Sequence, residues 1–342
     1  MWPDRPNAAD LHVPPCGGGR EGGTHLVTFY ILRRIFGFLV TLLIAAAVIF
    51  LLLDLLPGDP ARFILGINAT PEAVAALRLQ MGLNDPAIVR FGNWLFGMLR
   101  GDFGLSQTQK LPVAGLIADR MAVTLPLTLV AMVISVVIGL PLGILAARHR
   151  GKIVDTALMI LAQTGVAIPN FWFGMLLTLL FAVTLRWLPP GGFTPWTEDA
   201  WASLRGLVLP SLALALPQAA ILARVMRTAL VDVSSQDFIR TARAKGMTFG
   251  EALWRHGVRN ALLPVLTILG LQFAFLIAGT IIVENVFYLP GLGRLIFTAI
   301  SERDLVLVRS ATIILVLVVS FTMLIVDLAY GLVDPRIRER RA

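Results

Sequence analysis

The side chains able to do chemistry in this sequence are few and far apart. Its four histidines, His12, His25, His149 and His256, lie outside the apolar runs, and no His-Glu-x-x-His is present. Neither a metal ligand set nor an intramembrane imidazole relay is therefore visible. The single cysteine, Cys16, excludes an intrachain disulfide and any cysteine-based metal cluster. A Gly-x-x-x-x-Gly-Lys-Ser/Thr loop, which would cradle ATP phosphates, is missing, and no nucleophile and base stand with an orienting group. No catalytic residue, metal or cofactor is expected, so energy for work must come from a bound ATPase or an ion gradient. What remains is charge set against apolar surroundings: Glu284 and Asp327 at or inside apolar runs, and the charge-rich segment Asp237 to Pro264 between two of them.

Those apolar runs decide the fold class. With 57% hydrophobic residues, 15% charged residues and a mean hydropathy of +0.80, the chain reads as an all-α, polytopic membrane protein. Ile35 to Leu53 is long enough to cross a bilayer at about 1.5 Å per residue. Met121 to Ala147, Ala157 to Leu185, Leu207 to Ala223, Ala261 to Val283 and Ala311 to Val333 complete six expected transmembrane helices. The net charge of +8 does not point to nucleic acid, because Lys and Arg gather at span ends without an aromatic-interleaved basic groove. Arg33, Arg34, Arg148, Arg150, Lys152, the group from Arg224 to Arg259 and that from Arg336 to Arg341 fall on one face. The positive-inside rule makes that face, and both termini, cytoplasmic. The expected organisation is an irregular tail over 1–28, a first transmembrane helix over 29–56 and an extracytoplasmic helical insertion over 57–119. A five-helix membrane core follows over 120–335, with a cytoplasmic loop at 232–260, then a tail over 336–342. Within the insertion, Thr70-Pro71 predicts a capped helix closed by Met81-Gly82, and Asn84-Asp85-Pro86 opens another that ends before Gly101.

Between the fourth and fifth spans, Phe238, Ile239 and Ala242 recur at helical spacing on one side. Arg240, Arg243 and Lys245 load the last turn, where the helix dipole favours cations, and Gly246 is placed for a left-handed stop. Thr248 opens a capping box with Glu251, and Leu253 and Trp254 give a second helix an apolar side as it runs toward Pro264. The prediction is a helix, a glycine elbow and a second helix lying on the membrane surface. Spacing alone leaves two readings open: a basic amphipathic element on anionic lipid headgroups, or a docking element for a protein.

The residues Arg240-Thr241-Ala242-Arg243-Ala244-Lys245-Gly246, followed by Leu263-Pro264, resemble the cytoplasmic EAA loop of permease subunits of ATP-binding cassette (ABC) importers. Their wording is similar to the dipeptide, oligopeptide and nickel branch. Arg240 stands where the wider superfamily often has Glu, and the interval from Gly246 to Pro264 is longer than its general pattern; both departures resemble the peptide branch. Leu56-Pro57-Gly58-Asp59-Pro60 and Gly101-Asp102-Phe103-Gly104-Leu105-Ser106 are similar to elements between its first two spans, although the second also reads as a plain turn. Glu284 to Leu295 resembles the Glu-Thr-Val-Phe, Pro-Gly-Leu-Gly pattern after its fifth span. The resemblance implies that Asp237, Arg240, Thr241, Ala242, Arg243, Ala244, Lys245, Gly246 and Glu251 dock on a separate ATPase. It also implies a homologous second permease subunit, two cytosolic ATP-binding subunits and an extracytoplasmic solute-binding protein as partners. The setting would be the lipid bilayer of a bacterial or archaeal plasma (inner) membrane.

Further candidates for the pathway or a subunit interface are Gly270, Ala274 and Ala278, a small-residue face on the fifth span, with Glu284, Asn285, Pro290, Gly291 and Gly293 beyond it. Glu284 reads either as a gate or docking residue or as the partner of Arg294. Pro169-Asn170 is expected to interrupt the third span and Pro210 and Pro217 the fourth; these breaks, with Pro141 between Gly139 and Gly143, are expected to face protein or a pathway. Gly139 and Gly143 read as intrachain packing. Arg224 and Arg227 are expected to snorkel to headgroups, and Asp327 to mark a helix end. A bulky acidic residue at Gly246 is expected to clash and break the turn. The alternative class is a secondary transporter driven by an ion gradient, which would need Glu284 or Asp327 to titrate.

Overall fold

The computed structural model describes residues 21–55, 60–66 and 69–333. Residues 1–20 of the expected tail, Leu56 to Asp59 of the first loop motif, and the basic group from Arg336 to Arg341 lie outside the described residues. Helix α1 (Glu21–Asp54) starts within the stretch expected to be irregular, because propagating a helix from the long apolar run costs less than nucleating one. The insertion contains α2 (Pro60–Leu65), α3 (Pro71–Gln80) and α4 (Ala87–Leu99). Thr70 caps α3 by accepting the Ala73 N–H at 3.3 Å, and Gly82 leaves it at a φ of +64°. The next helix, α5 (Val113–Arg148), begins before the expected end of the insertion, just after Leu105 and Pro112 form a bridge.

Among the described residues, five helices are long and apolar enough to cross a membrane: Tyr30–Asp54, α5, α8 (Ala200–Ser234), Phe249–Val286 and Leu305–Leu328. Between α5 and α8 the expected third span is two pieces, α6 (Ile153–Ala167) and α7 (Asn170–Leu177), the second prolonged by a π-helical segment to Thr184, with a bend of 101° between them. Steric pressure from Pro169 holds Ile168 extended (φ −85°, ψ 125°), which ends the first piece. The pair still joins opposite ends of the bundle. Asp155 near its start pairs with Arg227 late in α8, whereas the Trp187 carbonyl beyond its end accepts from Arg205 early in α8. The pair therefore acts as a sixth crossing.

Pro210 and Pro217 do not interrupt α8, which runs unbroken for 35 residues with both prolines buried among neighbouring helices. Pro141 likewise sits inside α5, but on its exposed side rather than against protein. Helix α8 is the hub. Leu207, Leu214, Leu222, Met226 and Leu230 on it are fully buried, while α1 and the last span bury little. Gly139 and Gly143 of α5 face Ala219 and Ala223 of α8 so closely that a Cβ at Gly139 would stand 2.7 Å from the Ala219 carbonyl oxygen. The two backbones touch, and these glycines are intrachain packing.

The remaining elements are α9 (Asp237–Ala244), α10 (Phe249–Ala252), a π turn over Leu253–Gly257, α11 (Val258–Val286), α12 (Leu292–Ser301) and α13 (Leu305–Val333). Charged groups tie the helices together. Asp155 receives a bidentate contact from Arg227, 2.5 and 2.7 Å, and the Gly151 N–H at 3.0 Å, so Arg227 is a structural partner and does not snorkel. Arg224 contacts Gln163 at 3.2 Å. Asp327, expected at a helix end, lies within α13 and pairs with Arg34 of α1 at 2.8 Å. At the opposite end of α13, buried Asp304 accepts from Ser106 Oγ (2.6 Å), Thr108 N (3.1 Å) and Thr108 Oγ1 (3.1 Å), and caps Leu307 N at 3.1 Å. The Gly-Asp-Phe-Gly-Leu-Ser stretch is thus more than a turn, because Ser106 and the Phe103 carbonyl both bond α13 or its cap.

Asp304→Ala leaves several buried donors without an acceptor, at about 1–3 kcal/mol for such a group. The expected outcome is faster proteolytic nicking within residues 105–111 and a lower unfolding midpoint in detergent. Asp304→Asn should keep part of both.

Candidate coupling site and the far-end clasp

The basic segment folds as a compact elbow at the end of the bundle where α5 and α8 finish. Helix α9 carries Arg240, Thr241, Arg243 and Ala244 outward, and Lys245 ends it. Gly246 follows at a φ of +95°, its N–H bonded to the Arg243 carbonyl at 3.0 Å, and Met247 N reaches the Ala242 carbonyl at 3.3 Å. Glycine adopts such a φ freely, and among other residues only Asn and Asp do so at modest cost. The clash expected for a side chain is absent, since a Cβ at Gly246 meets nothing within 4 Å; the constraint there is conformational. Thr248 and Glu251 form the reciprocal capping box, with Thr248 N donating to Glu251 Oε2 at 2.9 Å and Glu251 N to Thr248 Oγ1 at 3.3 Å.

The second arm is not a separate helix. From Phe249 it continues through the π turn into α11 as one 38-residue helix that contains Pro264, so the elbow is fused directly to a span. The elbow has its own small core of Ile239, Ala242 and Ala252, with Val233 and Met247 against it. Ala242 is therefore buried within the elbow, while Phe238 and Trp254, expected on the apolar side, are 42% and 66% exposed. Asp237, Arg240, Thr241, Arg243, Ala244, Lys245, Gly246 and Glu251 are exposed together. Asp237 sits 3.3 Å from Arg240, and the Arg243 guanidinium lies 5.9 Å from the Phe249 ring. Leu253 and Gly257 of the π turn abut Leu230 of α8, and the Arg148 guanidinium at the end of α5 lies beside Gly250.

Glu284 belongs to a clasp at the other end. It is fully buried near the end of α11, accepting Thr124 Oγ1 of α5 at 2.6 Å and the backbone N–H of Arg294 at 3.0 Å. Thr124 Oγ1 in turn accepts the Leu292 N–H at 2.8 Å. The expected ion pair with the Arg294 guanidinium does not form; that group sits 5.1 Å from the Tyr288 ring. Gly291 and Gly293 are glycines because the carboxylate occupies the space a side chain would need at Gly291, and Ile281 that at Gly293. Here a carboxylate lies at the start of α12, where free backbone N–H groups and the helix dipole favour an anion. Asn285 is bonded to the Ile281 carbonyl at 2.6 Å, and the Pro290 carbonyl accepts from Arg120 at 3.5 Å. The group is a tie between α5, α11 and α12, with no exposed carboxylate to serve as a gate.

The small-residue face of α11 divides. Gly270 is taken up within the chain, where Met323 and Val326 of α13 would lie 3.2 Å from its Cβ, whereas Ala278 is exposed and Ala274 half-buried. The sequence reading missed Thr124, Asp155 and Asp304. Asp155 and Asp304 left local traces, a carboxylate in the first turn of a helix after Gly151 and an Asp at the N-cap of α13; Thr124 left none.

Comparison with known proteins fits this architecture. Residues 139–339 match the family described as binding-protein-dependent transport system inner membrane component, and residues 27–128 match its N-terminal family. A putative peptide transport system permease protein of Brucella melitensis is 42% identical over 313 residues, covering 92% of this chain and 99% of that protein. The glutathione transport system permease protein GsiC of Salmonella choleraesuis is 42% identical, covering 90% and 98%. Among solved structures, an inward-facing MetNI methionine ABC transporter aligns with a TM-score of 0.53 at 18% identity, covering 64% of this chain and 96% of that chain. That likeness supports the fold. With these matches along nearly its whole length, the secondary-transporter reading falls away. The chain belongs to the binding-protein-dependent transport system inner membrane component family, the permease subunits of ABC importers.

Proposed function

We propose that this permease carries peptide-like cargo, including glutathione-sized peptides, and that the elbow from Asp237 to Glu251 is where a cytosolic ATPase pushes on it. The cargo reading is supported by the names borne by relatives 42% identical to this chain. The coupling reading rests on one observation: an exposed, basic, internally cored elbow fused without a joint to α11 and backed by α8 and α5. Two ATP-binding subunits close on ATP, the elbows follow, and the spans tilt as rigid bodies between outward and inward openings. The elbow face is cytoplasmic because Arg148, Arg150, Lys152 and the cations of α9 gather there. A second, homologous permease packs on the open face of α11, where Leu271, Phe275, Ala278 and Ile282 are exposed at helical spacing beside Ala274. An extracytoplasmic binding protein delivers cargo at the clasp end, and Glu284 keeps α5, α11 and α12 moving as one.

Two tests follow from the geometry. Gly246→Val forces a β-branched residue to positive φ at about 1–3 kcal/mol, so transport per ATP hydrolysed in the reconstituted complex should fall several-fold. Gly246→Asn, which tolerates positive φ, should keep most of it. Normal transport by Gly246→Val with the ATPases bound would refute the coupling role. Glu284→Ala strands the Thr124 hydroxyl and the Arg294 N–H, at about 1–3 kcal/mol for a buried group, and should lower the unfolding midpoint in detergent more than Glu284→Gln.

A further inference from the structure

Helix α4 presents a surface that the rest of the chain leaves open. Its sequence, Ala-Ile-Val-Arg-Phe-Gly-Asn-Trp-Leu-Phe-Gly-Met-Leu, is apolar nearly all round, a pattern that belongs to a helix covered on every side. One face is covered: Trp94 is buried, and Phe91, Leu95 and Met98 pack with Ala46 and Phe50 of α1 and with Ile313 and Val316 of α13. The other face, Ile88, Val89, Phe96 and Leu99, is 45–77% exposed.

The residues beneath α4 give its depth. Ala46 lies eight residues before the end of α1 at Asp54, and Ile313 eight residues after the start of α13 at Leu305. At about 1.5 Å per residue, Ala46 lies about 12 Å from the end of α1, and Ile313 lies about 6 Å beyond Arg309, the last charged residue before the apolar run of α13. A helix resting on them is level with hydrocarbon, whose full thickness is about 30 Å. On α1, Val48, Leu51 and Leu52, within a turn of Phe50, are exposed as well. Polar contacts sit where a water boundary requires them. Arg90 pairs with Asp54 at 2.7 Å, Arg309 stacks 4.7 Å over Trp94, and the Arg100 guanidinium folds back 4.2 Å over the Phe96 ring. Asn93, on the border of the two faces, lines a polar cavity with Asp85 and Gln107.

We infer that α4 is embedded in the lipid leaflet at the clasp end of the bundle, its Ile88, Val89, Phe96 and Leu99 face against acyl chains. The insertion is then not a domain standing wholly outside the bilayer, but is anchored in it beside α1. At thirteen residues, about 20 Å, α4 is too short to cross and lies as an interfacial helix. This reading is independent of the coupling role of the elbow.

The test uses the full chain assembled with its partner subunits in liposomes, on a Cys16→Ser background. A nitroxide is placed at Phe96→Cys, at Leu99→Cys or, for comparison, at Asn93→Cys, in assemblies that retain transport. Collision with oxygen, which concentrates in lipid, relative to a water-soluble chromium chelate should be several-fold higher at 96 and 99 than at 93. Chelate collisions as frequent at 96 and 99 as at 93 would put the helix in water. Low collision rates with both agents would mean that a partner protein covers the face; either result overturns the inference.

Discussion

Gly139 and Gly143 bring the backbones of α5 and α8 into direct contact, and that contact sets what a push on the elbow is able to move. Two helices held by long, soft side chains slide past one another. Two helices in backbone contact cannot do so without opening a void in a close-packed interior. Since α8 is also the most buried of the described spans and ends where α9 begins, the proposed push on the elbow would reach the centre of the bundle rather than its rim.

The same economy governs the charges. Asp155, Glu284 and Asp304 are all buried, and each is met by backbone or side-chain donors rather than left to water. Glu284 and Asp304 stand at the starts of α12 and α13, where unpaired N–H groups need acceptors. Each therefore closes a helix terminus and ties a distant segment to it. These ties sit at the end away from the elbow. On the proposed coupling role, the end that is pushed lies opposite these two ties, an arrangement suited to tilting.

Local chemistry makes part of this legible in the sequence. The cap at Thr70, the turn at Gly246 and the box between Thr248 and Glu251 each need only a few neighbouring residues, and each was readable from spacing. The break at Pro169 was readable for the same reason, though not its 101° angle, which depends on how α7 packs on α8. Pro210 and Pro217 looked like similar breaks and are not, because neighbours on all sides hold α8 straight enough to continue. Contacts between Asp304 and Ser106, 198 residues apart, leave no mark in either segment. The small-residue stripe of α11 was visible as a stripe, but which helix meets Gly270 and which leaves Ala278 open is a property of the assembled bundle.

The central claim is that the exposed side of the elbow is covered by an ATPase and carries its motion. Ala244 is the residue to probe, being small, exposed and on the outer side of α9. With Ala244→Cys on a Cys16→Ser background, a water-soluble maleimide applied from the elbow side should react readily with the permease alone. In the complex assembled with its ATP-binding subunits, that reaction should be strongly slowed and should vary with bound nucleotide. Equal labelling rates with and without the ATPases would contradict the account.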